Sequence, residues 1–121
     1  MAILYKITAE DNFLSVQASG FDENLQETED YVNAVIKDAL EYKSQYILCD
    51  ERNLHYSLSF YDNYQLAGFI SQYAKMIKKV AIVCAPDYSL EKEFFEEIAV
   101  EKGASICFFY DIDSAKKWLS L

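Results

Sequence analysis

The side chains best suited to chemistry follow the apolar run Tyr46–Cys49. Asp50, Arg52 and His55 lie within six residues of one another, and Arg52 is the only arginine in the chain. A carboxylate, a guanidinium and an imidazole at this spacing could bind an anion or a charged partner. Exposed ion pairs and loop hydrogen bonds are the more common use of such residues. We expect that structural use here, with an anion or partner site as the alternative.

Cys49 and His55 are the one cysteine and histidine that lie close together in the sequence, as a nucleophile and its base would. Cys49 falls in a predicted strand, and we expect its thiol to point into the core. Gly20, Gly68 and Gly103 are too far apart to form a phosphate-binding loop. No cysteine or histidine pair has metal-ligand spacing. The sequence therefore predicts no catalytic residue, metal or cofactor, and a protein that is not an enzyme.

Aromatic residues crowd the segment that follows. Tyr56, Tyr61 and Tyr64 surround Phe60, and the chain contains ten tyrosines. Tyrosine is enriched in protein interfaces, where it offers a large contact area. Rings that line the core beneath a loop are the more common reading. The alternative is a partner surface or an apolar ligand cleft, and this candidate surface comprises Asp50, Arg52, His55, Tyr56, Ser59, Tyr61, Tyr64 and Asp87.

The elements that must position these residues alternate along the chain. The predicted strands cover residues 3–8, 13–19, 46–49, 80–85 and 105–109, and apolar stripes at helical spacing cover 25–40, 66–77, 90–99 and 115–119. The polar and aromatic segment Asp50–Tyr61 is predicted to be irregular. This order predicts a single α/β domain over residues 1–121 with a mixed five-stranded sheet, in which an N-terminal hairpin precedes a β-α-β-α-β-α run.

Two further aspartates follow predicted strands. Ligands in open α/β sheets gather at the carboxyl ends of strands, where Asp87 and Asp111 would lie. Both are more simply explained as helix caps, with Ser89 as an alternative cap for the third helix and Asp113 as an alternative start of the last helix. Gly103 is expected to end that helix in a left-handed conformation.

The last third of the chain, EEIAVEKGASICFFYDIDSAKKWLSL, carries a specific pattern. It consists of a helix, an Ala-Val-x-x-Gly-Ala turn, a strand that ends in an acidic residue, and a helix with Ala and Trp-Leu, here Ala99, Val100, Gly103, Ala104, Asp111, Ala115, Trp118 and Leu119. This pattern resembles the SpoIIAA-like (STAS/SEC14-type) bacterial family. The resemblance implies a SpoIIAA/STAS-like fold. Because the pattern is built from packing and turn residues, it implies the fold more than any activity.

The resemblance also raises regulation by phosphorylation. Anti-sigma-factor antagonists of this fold are phosphorylated on a serine of an Asp-Ser-Ser-Gly motif, where the helix after strand three begins and its N-terminus favours a phosphate. This chain has SLSFYDNYQLAG there, with Ser57 and Ser59 as the nearby serines. Asp62 would repel a phosphate. We therefore expect Ser59 to be an N-cap rather than a regulatory site.

Composition restricts the partners and the compartment. Eleven basic and 20 acidic residues give a net charge of −9, which opposes binding to nucleic acid and to anionic membranes. No apolar run approaches the ~20 residues of a membrane span, and the N-terminus becomes polar too early for a signal peptide. An odd number of cysteines, Cys49, Cys84 and Cys107, each in a different predicted strand, predicts reduced thiols and a cytoplasmic protein.

The preferred hypothesis is a non-enzymatic protein-interaction or regulatory module that binds an unknown protein through residues 50–64. The alternative, which the SEC14 side of the family suggests, is a module for a small apolar ligand or lipid. Its cleft would lie beside Phe60, Phe69 and Tyr73. A homodimer is compatible with either hypothesis.

Overall fold

A computed structural model describes residues 3–88 and 90–121. Ser89, the alternative cap of the third helix, lies outside the described residues. The elements in chain order are β1 (Ile3–Ala9), β2 (Leu14–Phe21), α1 (Leu25–Glu41), β3 (Tyr46–His55), α2 (Phe60–Ser71), β4 (Lys79–Val83), α3 (Leu90–Glu101), β5 (Ile106–Phe109) and α4 (Ile112–Leu119). The predicted alternation of elements is confirmed.

The strands form one mixed sheet with the order β1-β2-β3-β4-β5. β1 and β2 form the predicted antiparallel hairpin, with Ile3 opposite Gly20 and Ala9 opposite Leu14. The other neighbouring pairs are parallel. Strands that are joined through a helix run parallel because the helix carries the chain back to the starting edge of the sheet.

The helices divide between the two faces of the sheet. The larger core contains Tyr31 of α1, Leu66 of α2 and Phe95 of α3, packed on one face. The smaller core joins Leu48 of β3 to Leu119 of α4 on the other face. Complete burial of a side chain such as Phe95 stabilises the fold by roughly 1.5–3 kcal/mol.

Short polar side chains fix where three helices begin. Asn24 accepts a hydrogen bond of 2.9 Å from the backbone of Glu27 at the start of α1. Ser59 and Asp111 cap α2 and α4 in the same way, as predicted for both. Each cap stabilises its helix by about 1 kcal/mol. Gly103 has the expected positive φ of 102° after α3.

The C-terminal ends of β3 and α2 each differ from the prediction by six residues. β3 continues to His55, although Asp50–Tyr61 was predicted to be irregular, because β2 pairs with it as far as Phe21 opposite His55. α2 ends at Ser71 instead of continuing to Ile77. The turns that follow bring the backbone N–H of Lys78 within 2.8 Å of the Gln45 carbonyl oxygen, which aligns the chain for β4.

Candidate functional site

Asp50 and Arg52 form an ion pair on the outer side of β3. The guanidinium donates to both carboxylate oxygens, with distances of 2.9 Å from Nε and 2.7 Å from Nη2. The Arg52 side chain is 47% exposed. Its hydrogen bonds hold the pKa of Asp50 below the usual range. Asp50 also borders an open polar groove with Lys6 and Gln17 on the face of the sheet opposite α1.

The remaining residues of the predicted surface lie on different parts of the fold. The exposed His55 ring stacks on Phe21 at 4.8 Å between ring centroids. Tyr61 is 70% exposed on α2, and Asp87 is exposed in the turn after β4. The ring centroid of Tyr64 lies 5.4 Å from Lys102 Nζ. Tyr61 and Tyr64 are three residues apart on α2 and are therefore neighbours, whereas His55 ends β3 and Asp87 follows β4.

Cys49 and His55 do not form a nucleophile and base. Cys49 is buried in the larger core, as expected, and burial raises the pKa of its thiol. Six residues of strand place the two Cα atoms about 20 Å apart. His55 is exposed at the far end of β3.

A cavity of about 70 Å³ lies between the sheet and the three helices α1, α2 and α3. Most of the side chains around it are apolar. They are Ile3, Val32, Val35, Ile36, Ile47, Cys49, Leu54, Leu66, Ile70, Val80, Ile82, Phe95, Ile106 and Phe108, together with Asp22, Thr28, Tyr31, Glu51, Tyr56 and Lys92. Three of these residues, Asp22, Glu51 and Lys92, are acidic or basic and buried.

Glu51 reaches the cavity because β3 alternates. It shares a face with Ile47 and Cys49, which are buried in the larger core. Its Oε1 accepts a hydrogen bond of 2.6 Å from the Tyr56 hydroxyl, and its Oε2 accepts one of 2.8 Å from the Tyr31 hydroxyl. Tyr56 therefore points inward, as expected for a ring that lines the core. Phe60, Tyr61 and Tyr64 are exposed, contrary to the same expectation.

Lys92 projects from α3 into the same region. Its Nζ donates a hydrogen bond of 3.0 Å to Asn63 Oδ1. It also lies 4.8 Å from the ring centroid of Tyr56 and 5.1 Å from that of Phe95. The negative faces of aromatic rings favour a cation at this distance. These contacts stabilise a charge that burial would otherwise disfavour.

Asp22 completes the cluster from the end of β2. Its Oδ1 accepts hydrogen bonds from the backbone N–H and the hydroxyl of Ser57. Its Oδ2 lies 3.9 Å from the ammonium of Lys92. This oxygen is buried and has no hydrogen-bond partner among the described residues.

Burial dominates the electrostatics of this cluster. It raises the pKa of Asp22 and of Glu51, while the positive charge of Lys92 partly offsets both shifts. Burial lowers the pKa of Lys92, and the two carboxylates oppose that shift. Three ionisable groups with shifted pKa values around one cavity are typical of a functional site. We call Asp22, Glu51 and Lys92 the buried cluster.

The buried cluster was not predicted from the sequence. The apolar spacing placed Leu90 in the buried stripe of α3, but Leu90 is 70% exposed and Lys92 is buried instead. The spacing held a signal, because Lys92 stands three residues before Phe95 and seven before Ala99, the other buried residues of the helix. A lysine at such a position is unusual, since lysine is almost never fully buried without a partner.

The cavity does not lie where the apolar cleft was predicted, beside Phe60, Phe69 and Tyr73. Phe60 is half exposed and packs edge-on against Phe94, with ring centroids 5.4 Å apart. Phe69 borders an open groove beside Tyr64, and Tyr73 borders a depression of about 20 Å³. The larger apolar space lies deeper because the three helices do not fill the sheet face completely.

Two kinds of feature are absent from the described parts of the chain. Within residues 3–88 and 90–121, no three His, Cys, Asp or Glu side chains are grouped to hold a metal ion. None of the helices in these ranges has the length and apolar character needed to cross a membrane.

Comparison with known proteins places the fold. A crystal structure of an uncharacterised DUF3478-family protein from Shewanella loihica PV-4, described as SpoIIAA-like, matches with a TM-score of 0.58. The match covers 98% of this chain and 94% of that chain at 21% sequence identity. This chain has a SpoIIAA-like fold. No protein-family model and no curated protein matches it. At this identity the likeness establishes the fold of the SpoIIAA-like domain alone.

Proposed function

We propose that this SpoIIAA-like domain is a non-enzymatic module that binds a small, largely apolar molecule. The observation that carries the proposal is the cavity whose apolar walls end at the buried cluster. Burying three ionisable side chains costs several kcal/mol per ion before they interact, and apolar residues would often serve stability as well. Hydrogen bonds from these groups to a ligand would explain why the protein retains buried charges despite this cost in stability. We expect the domain to act in the cytoplasm, where its three free cysteines stay reduced.

The volume narrows the class of ligand. An apolar cavity of about 150 Å³ holds benzene, and this one has about half that volume. It therefore suits a molecule of roughly three to five non-hydrogen atoms. A lipid with a long acyl chain would exceed this space, which separates the proposal from a SEC14-like carrier.

Xenon tests whether the cavity admits a small apolar guest. Under xenon pressure, the methyl NMR signals of Val35, Ile36 and Ile82 should shift in a saturable way. Val35→Leu adds a methylene group to the cavity wall and should weaken the shifts. Val83→Leu adds the same group to the smaller core and is the matched control. Unchanged methyl signals, or equal weakening by both variants, would count against the cavity as a binding site.

A second candidate is a protein-binding surface where α2 meets α3. Phe60 and Tyr64 are four residues apart on α2, Leu90 and Phe94 are four residues apart on α3, and the Phe60–Phe94 contact joins the two pairs into an apolar patch. Leu90 is 70% exposed, and Phe60 and Tyr64 are about half exposed. Contiguous exposed apolar residues often mark interaction sites. A partner bound by the wild type should lose affinity on Leu90→Ser and keep it on Arg52→Ser, and retention by both variants would exclude this surface.

A further inference from the structure

Two atoms at the polar end of the cavity have unused hydrogen-bonding capacity. Asp22 Oδ2 is buried and lacks a hydrogen-bond partner within the described residues. The ammonium of Lys92 has three N–H groups, and its hydrogen bond to Asn63 uses one of them. The two atoms are 3.9 Å apart, too far for a direct hydrogen bond. A buried group in this state costs roughly 1–3 kcal/mol unless something satisfies it.

We propose that the cavity selects a neutral small molecule with a hydroxyl group, whose oxygen lies between Lys92 Nζ and Asp22 Oδ2. This inference rests on the proposed function and specifies the chemistry of the ligand. A hydroxyl accepts a hydrogen bond from Lys92 and donates one to Asp22. An oxygen about 2.8 Å from each atom spans the gap at ordinary hydrogen-bond lengths.

Groups with a full charge fit this position less well. A carboxylate would face both Asp22 and Glu51, and the hydroxyl groups of Tyr31 and Tyr56 already occupy Glu51. An ammonium would face Lys92. Each would also have to leave water for a largely apolar cavity, which costs several kcal/mol per ion. A carbonyl would accept from Lys92 but leave Asp22 Oδ2 without a donor.

The apolar walls of the cavity favour an alcohol over a water molecule as its occupant. A water molecule could satisfy the same two atoms, but a cavity of about 10–15 Å³ is enough to hold it. The cavity of about 70 Å³ exceeds this volume, and its apolar walls include Val35, Ile36 and Ile82. An alkyl group fills this remainder and gains about 0.8 kcal/mol for each buried CH₂. The hydroxyl and the alkyl group together match both parts of the site.

Four probes of nearly equal size test the assignment. They are 2-propanol, acetone, acetate and isopropylammonium, which differ in hydrogen bonding and charge at one end. Each is titrated into the wild-type protein near pH 7 and followed by the methyl NMR signals of the cavity. We expect 2-propanol to bind at least tenfold more tightly than each of the others.

The variant Asp22→Asn tests the role of the open oxygen. Its side-chain oxygen can still accept from Ser57, so the local structure is kept. The new amide can donate as well as accept, and the negative charge is gone. We therefore expect the preference for 2-propanol over acetone to fall to less than threefold and the affinity for acetate to rise at least tenfold. Asp50→Asn removes a carboxylate from the other face of the sheet and should leave the four probes in the same order of affinity as for the wild type.

The outcomes separate the two proposals. If xenon enters the cavity but 2-propanol and acetone bind equally, or a charged probe binds most tightly, the hydroxyl inference is wrong. The proposal that the cavity binds small apolar molecules is then still supported. If xenon enters and none of the four probes binds, the polar end holds only water and the inference is again wrong. If xenon also fails to enter, the proposed function itself is wrong.

Discussion

Three consecutive residues of β3 lie in opposite environments. Asp50 and Arg52 face solvent and pair with each other, whereas Glu51 between them is buried and accepts hydrogen bonds from two tyrosines. The strand alternation sends neighbours to opposite faces of the sheet. The exposed pair has the residue types that suggest an anion site, yet the cavity lies on the face of Glu51.

Charged residues affect stability differently on the two faces of β3. Water screens the exposed pair, so its net contribution is small. The buried cluster has lost most of that solvation, so each group depends on its few neighbours. Substitutions should therefore have large effects on one face of β3 and small effects on the other.

Loss of the buried cation should have the largest effect. Lys92→Met keeps the length of the side chain but leaves Asp22 and Glu51 without a positive charge. We expect a loss of about 3–5 kcal/mol in the free energy of unfolding, measured by urea titration. Adding Asp22→Asn to this variant should recover part of the loss. A loss below about 1 kcal/mol would show that the cluster is as solvated as a surface pair.

Removal of one tyrosine hydroxyl should have an intermediate effect. Tyr31→Phe leaves Glu51 Oε2 without its donor, and Tyr56→Phe leaves Oε1 without one. We expect each to cost about 1–3 kcal/mol in urea unfolding, because a buried acceptor loses its partner. Tyr61→Phe is the matched control on an exposed ring and should change stability by no more than about 0.5 kcal/mol. Equal costs for all three would contradict the assignment.

The pH dependence should have opposite signs on the two faces. Burial raises the pKa of Glu51 above 4.5, so its contribution to stability is fully present below that value and is lost as pH rises through the raised pKa. The hydrogen bonds from Arg52 lower the pKa of Asp50 below 3.8, so its contribution is present above 3.8 and is lost as pH falls through the lowered pKa.

Urea unfolding between about pH 3 and about pH 7 measures these signs. As pH rises, the wild type should lose stability relative to Glu51→Gln and gain stability relative to Asp50→Asn. The same sign for both variants would show that the two carboxyl groups have similar environments.

Breaking the exposed pair should have the smallest effect. Arg52→Met removes the guanidinium at nearly constant length, as Lys92→Met does for the ammonium. We expect a cost of no more than about 1 kcal/mol, which should decrease further in high salt. A larger cost that persists in salt would mean that Arg52 supports the sheet through contacts other than charge.

Much of the fold could be predicted from local patterns. The alternation in β1 and β2 predicted a hairpin, and the run from Val80 to Leu121 predicted strand, helix, strand and helix, all of which the structure confirms. Helix caps such as Ser59 and Asp111 were also predictable, because a cap depends on residues within one turn. The extension of β3 to His55 was not, since its polar residues extend only because β2 pairs with them.

The candidate site could be predicted much less well. The exposed residues of the predicted surface were found by type and spacing, but the structure places them on β3, at the start of α2 and in the turn after β4. Tyr56 alone of that surface belongs to the cavity. Its partner Glu51 stands between two charged residues and looks solvated in the sequence.

Local sequence patterns were enough to predict the α/β order, the likeness to SpoIIAA-like proteins and the places where helices begin, because each depends on side chains a few residues apart. The meeting of Asp22, Glu51 and Lys92 at one cavity depends on the tertiary structure. Asp22 directly follows β2, Glu51 lies in β3 and Lys92 lies in α3, so the three residues are far apart in the sequence. The pKa values and hydrogen bonds of these side chains depend on solvent exclusion by α1, α2 and α3, and no local pattern encodes that exclusion.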